Sequence, residues 1–286
     1  MKYTITGATG HLGKIVVQNM INLVGSENVR AAVHTPAKAA QLTKSGVEVV
    51  KTDYLDIATM TTSFEGTDVL IYIPSKTYNV LQRVTEFENT LIAMKQANVT
   101  EIIFVSFFAD QENNPFTMSA YYGYVPRRLA GSGLKYAVIK NSLYADPLIP
   151  YLPELIERKH LIYPVGNERL SFITQKDSAE AIANLAIKAE LRNHGQIYTL
   201  TQVKAYKMTK LGKIMSKVTD EKIGYAPVSV TEFADIYASE GDGTELGSMY
   251  QAGAMGLMDL TTADFKQLTG HDPETMTDFL SKNYQK

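Results

Sequence analysis

The chain has 286 residues, of which 45% are hydrophobic, and its 28 basic and 30 acidic residues leave a net charge of −2. This length suits one large α/β unit, or a domain of about 150 residues with a smaller partner. The sequence has no basic stripe of the kind that would suggest direct nucleic-acid binding. It also has no run of about 18 apolar residues that would suggest a membrane span. Cysteine is absent, which excludes disulfides and thiolate sites. The first strand pattern begins at Lys2 with no signal peptide before it, so we expect a cytoplasmic protein.

The first half of the chain alternates strand and helix patterns. Short apolar or β-rich runs predict strands at residues 2–6, 29–33, 47–50, 68–73, 101–106 and 135–140. Apolar residues at helical spacing predict helices at residues 12–24, 36–45, 57–64 and 80–97, and one that ends near Ala130. Asp56 is placed to cap the helix 57–64. Pro126 is expected to begin a helix and not to interrupt one.

After about Pro147 the strict alternation ends. Helices are predicted at residues 151–159, 178–191, 207–218 and 230–237, with strands at 197–200 and 223–225, a loop at 239–244 and a mainly helical tail. Asp177 is placed to cap the helix that begins at Ser178. The predicted fold class is α/β: a Rossmann-type doubly wound parallel sheet in residues 1–146, and a smaller C-terminal α/β lobe in residues 147–286 that is intertwined with it.

A glycine pattern lies between the first strand and the first helix, in the segment Gly7-Ala8-Thr9-Gly10-His11-Leu12-Gly13. Gly7 permits a tight turn, Gly10 lets the backbone approach a pyrophosphate, and Gly13 lets the helix pack closely on the strand. The helix N-terminus offers unpaired N–H groups and partial positive charge to phosphates. The strand–loop–helix context favours a dinucleotide site over a plain glycine-rich turn. We therefore expect the residues from Gly7 through Gly13 to bind the cofactor.

The segment after the second strand bears on the choice of cofactor. NAD selection usually needs an acidic residue there to hold the ribose 2′-hydroxyl, and residues 32–38 contain none. His34, Thr35 and Lys38 can instead hold a 2′-phosphate, although Lys38 also fits a solvated helix position. NADP(H) is favoured over NAD(H), more by the missing acid than by the basic residues.

The chain resembles the NmrA-like, atypical short-chain dehydrogenase/reductase proteins, and especially their NAD(P)H:quinone oxidoreductase branch. The likeness runs over nearly the whole chain and is strongest in the first 145 residues. The matching segments are 5–13, 36–39, 46–49 leading to Asp53-Tyr54, 97–99, Ser106, 129–133 and 141–144, with Asp177, Tyr198 and Gly270-His271 further on.

This resemblance implies a bilobal fold with bound NADP(H) and a cleft between the lobes. It implies that Asp53 and Tyr54 lie near the adenine, that Pro74 and Ser75 line the middle of the cofactor, and that the nicotinamide is surrounded by Ser106, Phe107, Asn141 and Tyr144. Two positions depart from the family pattern. His34 stands where many members carry an arginine for the 2′-phosphate. Arg127 stands where a lysine often contacts the nicotinamide ribose, and arginine cannot shed its proton.

The wider family uses a Tyr-x-x-x-Lys pair, in which tyrosine donates a proton and lysine lowers its pKa. In residues 121–128 no tyrosine is followed by lysine at that spacing, and Tyr124 is followed by Arg128. No catalytic residue is therefore assigned, and Tyr122 and Arg127 remain candidates. Quinone reduction needs no such tyrosine, because hydride can pass directly to an electron-poor ring. Aromatic side chains that can form a stacking slot, or simply pack, are Phe107, Phe108, Tyr121, Tyr122 and Tyr144.

The sequence thus favours a reductase that passes hydride to a quinone or similar planar conjugated carbonyl. One alternative is a non-catalytic NADP(H) redox sensor of the NmrA-like type, and a weaker one is a nucleotide-sugar epimerase. No metal site is predicted, since His11 and His34 have no partner ligands at suitable spacing. We expect a small-molecule substrate, with no direct nucleic-acid or membrane partner, and the sequence leaves a homodimer open.

Overall fold

The computed structural model describes residues 1–284, in which strands and helices alternate through the first half. The strands are β1 (Tyr3–Thr6), β2 (Val29–Val33), β3 (Glu48–Lys51), β4 (Val69–Tyr72), β5 (Glu101–Phe107), β6 (Lys135–Asn141), β7 (Leu143–Tyr144), β8 (His160–Leu161), β9 (Arg169–Leu170), β10 (Phe172–Ile173), β11 (Gln196–Leu200), β12 (Tyr206–Lys207) and β13 (Gly224–Tyr225). The helices are α1 (His11–Val24), α2 (Ala40–Lys44), α3 (Ile57–Phe64), α4 (Val80–Gln96), α5 (Ser119–Ala130), α6 (Leu148–Arg158), α7 (Gln175–Ile187), α8 (Ala189–Arg192), α9 (Met208–Thr219), α10 (Val230–Ile236), α11 (Gly243–Ala254), α12 (Asp264–Thr269) and α13 (Met276–Asn283).

Seven strands form the main sheet in the order β11-β6-β5-β4-β1-β2-β3. The pairs β1–β2, β1–β4, β2–β3 and β4–β5 are parallel. The chain builds outward from β1 on one side and from β4 on the other, so strand order reverses between these two strands. The predicted Rossmann-type doubly wound fold is confirmed, and ligands of such sheets bind at the carboxyl ends of the strands beside this reversal.

The chain forms two compact units, each built from three segments. The first unit contains residues 1–106, 124–140 and 175–198, and the second contains 107–123, 141–174 and 199–286. The chain therefore passes from one unit to the other five times. The reason is that β5, β6 and β11 each end in the second unit, and the chain returns to the first unit within α5 and at the start of α7. The sequence predicted two intertwined lobes, residues 1–146 and 147–286.

The core of the first unit lies along the middle strands. All four residues of β4 are fully buried, as a strand covered on both faces requires. Tyr72 of β4 packs its ring against those of Tyr54, Phe87 and Phe104, at centroid distances of 5.2, 5.7 and 5.9 Å. Helix α1 packs against α7. This aromatic core holds the carboxyl end of β4 in place.

Most predicted elements agree with the structure to within a few residues, and the predicted cap of α3 is confirmed. The carboxylate of Asp56 accepts hydrogen bonds from the backbone N–H groups of Ala58 and Thr59. The predicted helix 36–45 is wrong in form, because residues Pro36–Ala39 make a 3₁₀ turn and α2 has only five residues. Thr35 offers no side-chain cap to this turn, so a regular helix does not begin there.

The predicted bounds and cap of the helix 178–191 are wrong. Asp177 does not cap a helix at Ser178, because α7 already begins at Gln175, directly after β10 ends, and Asp177 lies buried in its first turn. Helix α7 ends at Ile187 because Lys188 leaves the helical conformation (φ −111°, ψ 89°).

Pro126 lies inside α5 and does not begin it. The helix continues through the proline because Tyr121, Val125 and Leu129 are all fully buried at helical spacing. Burial of such a stripe offsets the lost backbone hydrogen bond. The predicted loop 239–244 is also partly structured, since it holds a 3₁₀ turn at Ala238–Glu240 and the start of α11.

Candidate cofactor-binding site

The glycine loop joins β1 to α1 by a turn that only glycine accommodates easily. Gly7 has a positive φ of +62°, and its carbonyl oxygen accepts a hydrogen bond from the Gly10 N–H at 2.9 Å. A β-carbon on Gly13 would lie 2.1 Å from the Gly7 oxygen. Gly7 and Gly13 therefore have the roles in the turn and in close helix packing that the sequence predicted.

The start of α1 is open to an anion. Gly10 is its N-cap and offers no capping side chain, and the first turn contains no acidic residue. The first amides of a helix have no partner within it, so the N–H groups of His11, Leu12 and Gly13 are available to a ligand. Gly10 and His11 are exposed, Thr9 is half-buried and Leu12 is buried. An uncapped 14-residue helix with free leading amides favours a phosphate group.

The end of β4 supports this loop through a shared carbonyl. The Ile73 oxygen accepts hydrogen bonds from the Tyr54 hydroxyl at 2.6 Å and from the Thr6 hydroxyl at 3.3 Å. A β-carbon on Gly7 would lie 3.3 Å from that same oxygen. Burial raises the pKa of Tyr54, so its hydroxyl stays protonated and donates. Tyr54, predicted to lie near the adenine, thus also fixes the edge of the glycine loop.

The residues predicted to select the cofactor lie together after β2 and β3. His34 is exposed, and its ring nitrogens lie 3.5 Å from an Asp53 carboxylate oxygen and 3.3 Å from the Thr35 hydroxyl. Lys38 is exposed, and no side chain in residues 1–284 pairs with it. Asp53 also accepts the Leu55 N–H at 2.9 Å. The two basic residues predicted to contact a 2′-phosphate, His34 and Lys38, thus both lie in the segment after β2, with the Asp53 carboxylate beside His34.

The loop after β4 contains the predicted Pro74 and Ser75, both half-buried. The Ser75 hydroxyl donates to the carboxylate of Glu86 at 2.6 Å, and Gln82 donates to its other oxygen at 2.9 Å. Glu86 lies on α4 and is only 2% exposed. Sequence reasoning missed Glu86, although a carboxylate on the buried stripe of an amphipathic helix was a visible signal.

Ser106 lies near the end of β5 and supplies a test of whether a cofactor fits. It is 4% exposed, and its hydroxyl has no hydrogen-bond partner in residues 1–284. Buried hydroxyls are normally paired, so this group is suited to a partner that is not part of the protein. Together with the glycine loop and the free amides of α1, it shows that the residues present fit a dinucleotide.

Comparisons with known proteins agree with this site. Residues 7–147 match a family model described as NAD(P)H-binding. Quinone oxidoreductase 2 of Escherichia coli is 28% identical over 282 residues, covering 97% of this chain and 96% of that protein. The chain belongs to the NAD(P)H-binding family. The resemblance to the NmrA-like quinone oxidoreductases is confirmed.

Solved structures of similar proteins cover almost the whole of this NAD(P)H-binding chain. A Staphylococcus aureus protein described as a nucleoside-diphosphate-sugar epimerase is 38% identical, with a TM-score of 0.93 over 98% of this chain and 100% of that one. An NADPH-dependent quinone oxidoreductase from E. coli, in complex with NADPH, is 27% identical with a TM-score of 0.90, over 98% and 99% of the two chains.

In this family member the predicted aromatic slot is partly assembled within the second unit. The ring of Phe107 lies 5.7 Å from Tyr122 and 5.8 Å from Phe116. Tyr121 is fully buried and contacts Tyr122 at 5.4 Å. Phe116 was missed by the sequence reasoning, because it lies in a loop without a pattern. Phe107 and Tyr122 are half-buried, so this aromatic group keeps accessible ring surface.

The remaining predicted residues are more scattered. Asn141, at the end of β6, is buried and donates to the Tyr144 hydroxyl at 3.0 Å. Its carbonyl accepts the Phe108 N–H at 2.8 Å, whereas the Phe108 ring contacts no other ring in residues 1–284. Arg127 is exposed on α5.

The one tyrosine of α5 that is followed by a basic residue at this spacing is Tyr124, with Arg128, and both side chains bind a carboxylate. Tyr124 donates its hydroxyl to Glu88 at 2.5 Å, and Arg128 binds both oxygens of Glu88, at 2.8 and 3.1 Å. Burial, followed by the hydrogen bond to Glu88, raises the pKa of Tyr124. A catalytic tyrosine works best with a lowered pKa, whereas the Tyr124 hydroxyl is engaged with Glu88 and its pKa is shifted upward. Glu88, on α4, was not singled out from the sequence.

Residues 1–284 hold no group of three or more His, Asp or Glu side chains arranged to bind a metal ion. None of the helices described there combines the length and apolar character needed to cross a bilayer. A cytoplasmic location stays a prediction.

Proposed function

We propose that this protein is an NADPH-dependent reductase that passes hydride directly to a quinone or a similar planar conjugated carbonyl compound. The observation that carries the proposal is the engagement of Tyr124 and Arg128 with Glu88. It leaves the family's usual proton donor without a working equivalent on α5. A direct hydride acceptor needs no such donor in the hydride step.

The residues of the first unit bind and orient the cofactor in this proposal. The amides of His11, Leu12 and Gly13 hold the pyrophosphate, and Tyr54 and Thr6 keep the glycine loop in place through the Ile73 carbonyl. The unpartnered Ser106 hydroxyl orients the reacting end. When bound, NADPH supplies the hydride, and one proton from solvent completes the reduction of a quinone to a hydroquinone, leaving NADP⁺. Phe107 and Tyr122 offer ring surface to a flat substrate.

NADPH is proposed over NADH because of the groups after β2. Lys38 is exposed and unpaired by any side chain in the described part of the chain, and His34 lies four residues before it. Both can contact a 2′-phosphate, which is recognised by charge-assisted hydrogen bonds. The E. coli quinone oxidoreductase structure contains NADPH, which supports the same choice.

The description of the S. aureus relative as a sugar epimerase favours a different chemistry. Epimerisation through a 4-keto intermediate requires a tyrosine that repeatedly gains and loses a proton. The hydrogen bond from Tyr124 to Glu88 and its raised pKa oppose that role in this chain. The quinone reductase is therefore the better-supported proposal.

The test is NADPH oxidation, followed by absorbance, with a panel of benzoquinones and naphthoquinones. We expect turnover that saturates with quinone and a preference for NADPH over NADH. UDP-sugars, added to the protein loaded with NAD⁺ or NADP⁺, serve as the epimerase arm. Saturable NADPH binding without turnover of any quinone would reject the reductase and favour a redox sensor, for which the affinities for oxidised and reduced cofactor must differ.

A further inference from the structure

The second unit contains an aromatic group separate from Phe107, Phe116 and Tyr122. We call it the tyrosine cluster, and it consists of Tyr151, Tyr163, Phe233, Tyr237 and Tyr250. Tyr163 and Tyr250 stack with centroids 4.8 Å apart and planes at 18°. Phe233 lies 4.7 Å from Tyr237 and 5.1 Å from Tyr250, and Tyr151 lies 5.6 Å from Tyr237. The rings therefore form one continuous cluster.

Close helix packing builds this cluster. Phe233 lies on α10, with Tyr237 just after it, and Tyr250 lies on α11. The two helices approach so closely that a β-carbon on Gly243 would lie 2.3 Å from the Ala234 carbonyl oxygen. Phe233 is 1% exposed and Tyr237 is 5% exposed. The cluster is thus positioned by close backbone contact between α10 and α11 as well as by its own rings.

Two hydroxyls of the cluster already have protein partners. Tyr151 donates to Glu240, and Tyr237 donates to Glu154 at 3.2 Å. Arg158 also binds Glu154, at 2.6 Å. These contacts place two carboxylates at the edge of the cluster, and Arg158 is engaged with one of them.

The other two hydroxyls, those of Tyr163 and Tyr250, form no hydrogen bond within residues 1–284. Tyr163 is only 4% exposed, and buried tyrosine hydroxyls normally find a partner. Neither oxygen is among the fully enclosed unpartnered atoms, so each can still be reached from solvent. Two neighbouring phenols that are free, reachable and surrounded by aromatic rings are suited to a small ligand.

The chemistry of the cluster restricts that ligand. Burial raises the pKa of Tyr163 and of Tyr250, so both stay protonated at neutral pH and can donate. The ligand must then carry acceptor oxygens. Glu154 and Glu240 disfavour an anion, since like charges repel strongly where water is scarce. The surrounding rings favour a flat, conjugated body.

We propose that the hydroxyls of Tyr163 and Tyr250 donate hydrogen bonds to the oxygen atoms of an uncharged aromatic or conjugated carbonyl compound. The inference concerns binding and goes beyond the proposed hydride transfer, so each can fail while the other stands.

The test measures binding by calorimetry, with and without NADP⁺, which cannot reduce the probe. The probe is 2-methyl-1,4-naphthoquinone, compared with anionic 1,4-naphthoquinone-2-sulfonate and with 2-methylnaphthalene, which lacks the oxygens. The chain has no cysteine, so thiol arylation cannot imitate binding. We expect saturable binding of the neutral quinone, and weaker binding of both other compounds.

Tyr163→Phe and Tyr250→Phe keep the rings and remove one hydroxyl each, and each should weaken quinone binding about fivefold. Tyr206→Phe is the matched control, since Tyr206 is 8% exposed in the same unit but outside the cluster. It should leave the affinity unchanged. Equal binding by wild type and both cluster variants, or no preference for the neutral quinone, would overturn the inference. Tyrosine-dependent binding without NADPH turnover would reject the reductase alone.

Discussion

The carbonyl oxygen of Gly7 and the α-carbon of Gly13 lie so close that a β-carbon on residue 13 would be 2.1 Å from that oxygen. Gly10, three residues earlier, would bring its β-carbon to 3.2 Å from the same oxygen, a contact that small shifts can relieve. The two glycines therefore have different roles in the loop. Gly13 allows α1 to pack closely on the turn, whereas Gly10 leaves the space in front of the first amides of α1 open.

This division predicts opposite phenotypes for two substitutions. Gly10→Val should abolish NADPH binding with little change in thermal stability, because its side chain would enter the space that we propose for the pyrophosphate. Gly13→Ala should instead destabilise the fold by about 1–3 kcal/mol or more, as forced overpacking does. Cofactor titration and thermal unfolding of both variants check this. Retained NADPH binding by a folded Gly10→Val protein would refute the placement of the pyrophosphate.

Lys38→Glu should weaken NADPH binding about tenfold and leave NADH binding nearly unchanged, because the new carboxylate would face the 2′-phosphate. Lys44→Glu is the matched control, since Lys44 is also exposed but ends α2. Affinities of both variants for both cofactors, measured by fluorescence titration, give the ratio. If Lys38→Glu and the control have the same ratio of NADPH affinity to NADH affinity, Lys38 takes no part in the choice between the two cofactors.

Tyr124→Phe should retain NADPH:quinone turnover within about twofold of wild type. The Tyr124 hydroxyl is already engaged in a hydrogen bond with Glu88, and phenylalanine keeps the aromatic ring. The variant should lose at most about 1 kcal/mol of stability, as expected for one hydrogen bond. Steady-state kinetics at saturating cofactor provide the check. A loss of more than tenfold in kcat would reinstate an acid–base tyrosine on α5.

Buried tyrosines predict a loss of stability at alkaline pH. Burial, and then Glu154, raises the pKa of Tyr237, whereas in the unfolded chain it returns to about 10. The native state therefore holds this proton above pH 10 when the unfolded state does not. Its contribution is complete below about pH 10 and is lost as pH rises further, by up to about 1.4 kcal/mol per pH unit.

Urea unfolding of wild type and Tyr237→Phe between pH 8 and 11 tests this. The variant should be less stable at pH 8, because it lacks the bond to Glu154, but its stability should fall less steeply above pH 10. If the unfolding free energies of the two proteins fall in parallel with pH, Tyr237 does not have the raised pKa.

Local patterns predicted much of the fold. The strand–glycine–helix opening, the buried runs of β4 and β5 and the cap at Asp56 depend on neighbours within a few residues, and short-range periodicity and capping chemistry are readable there. The absence of an acidic residue after β2 is likewise read directly from the sequence. Local patterns predicted less well where tertiary burial outweighs local preference, as at Pro126 inside α5 and at Asp177 in the first turn of α7.

The sequence by itself determined the glycine turn and the uncapped start of α1, because a glycine's missing side chain and a helix's free amides are local properties. Only the tertiary structure decided which side chains meet. Glu88 reaches Tyr124 from 36 positions away, Tyr54 reaches Ile73 across 19, and Tyr250 stacks on Tyr163. Such contacts arise from the packing of distant helices and strands, which no spacing along the chain encodes.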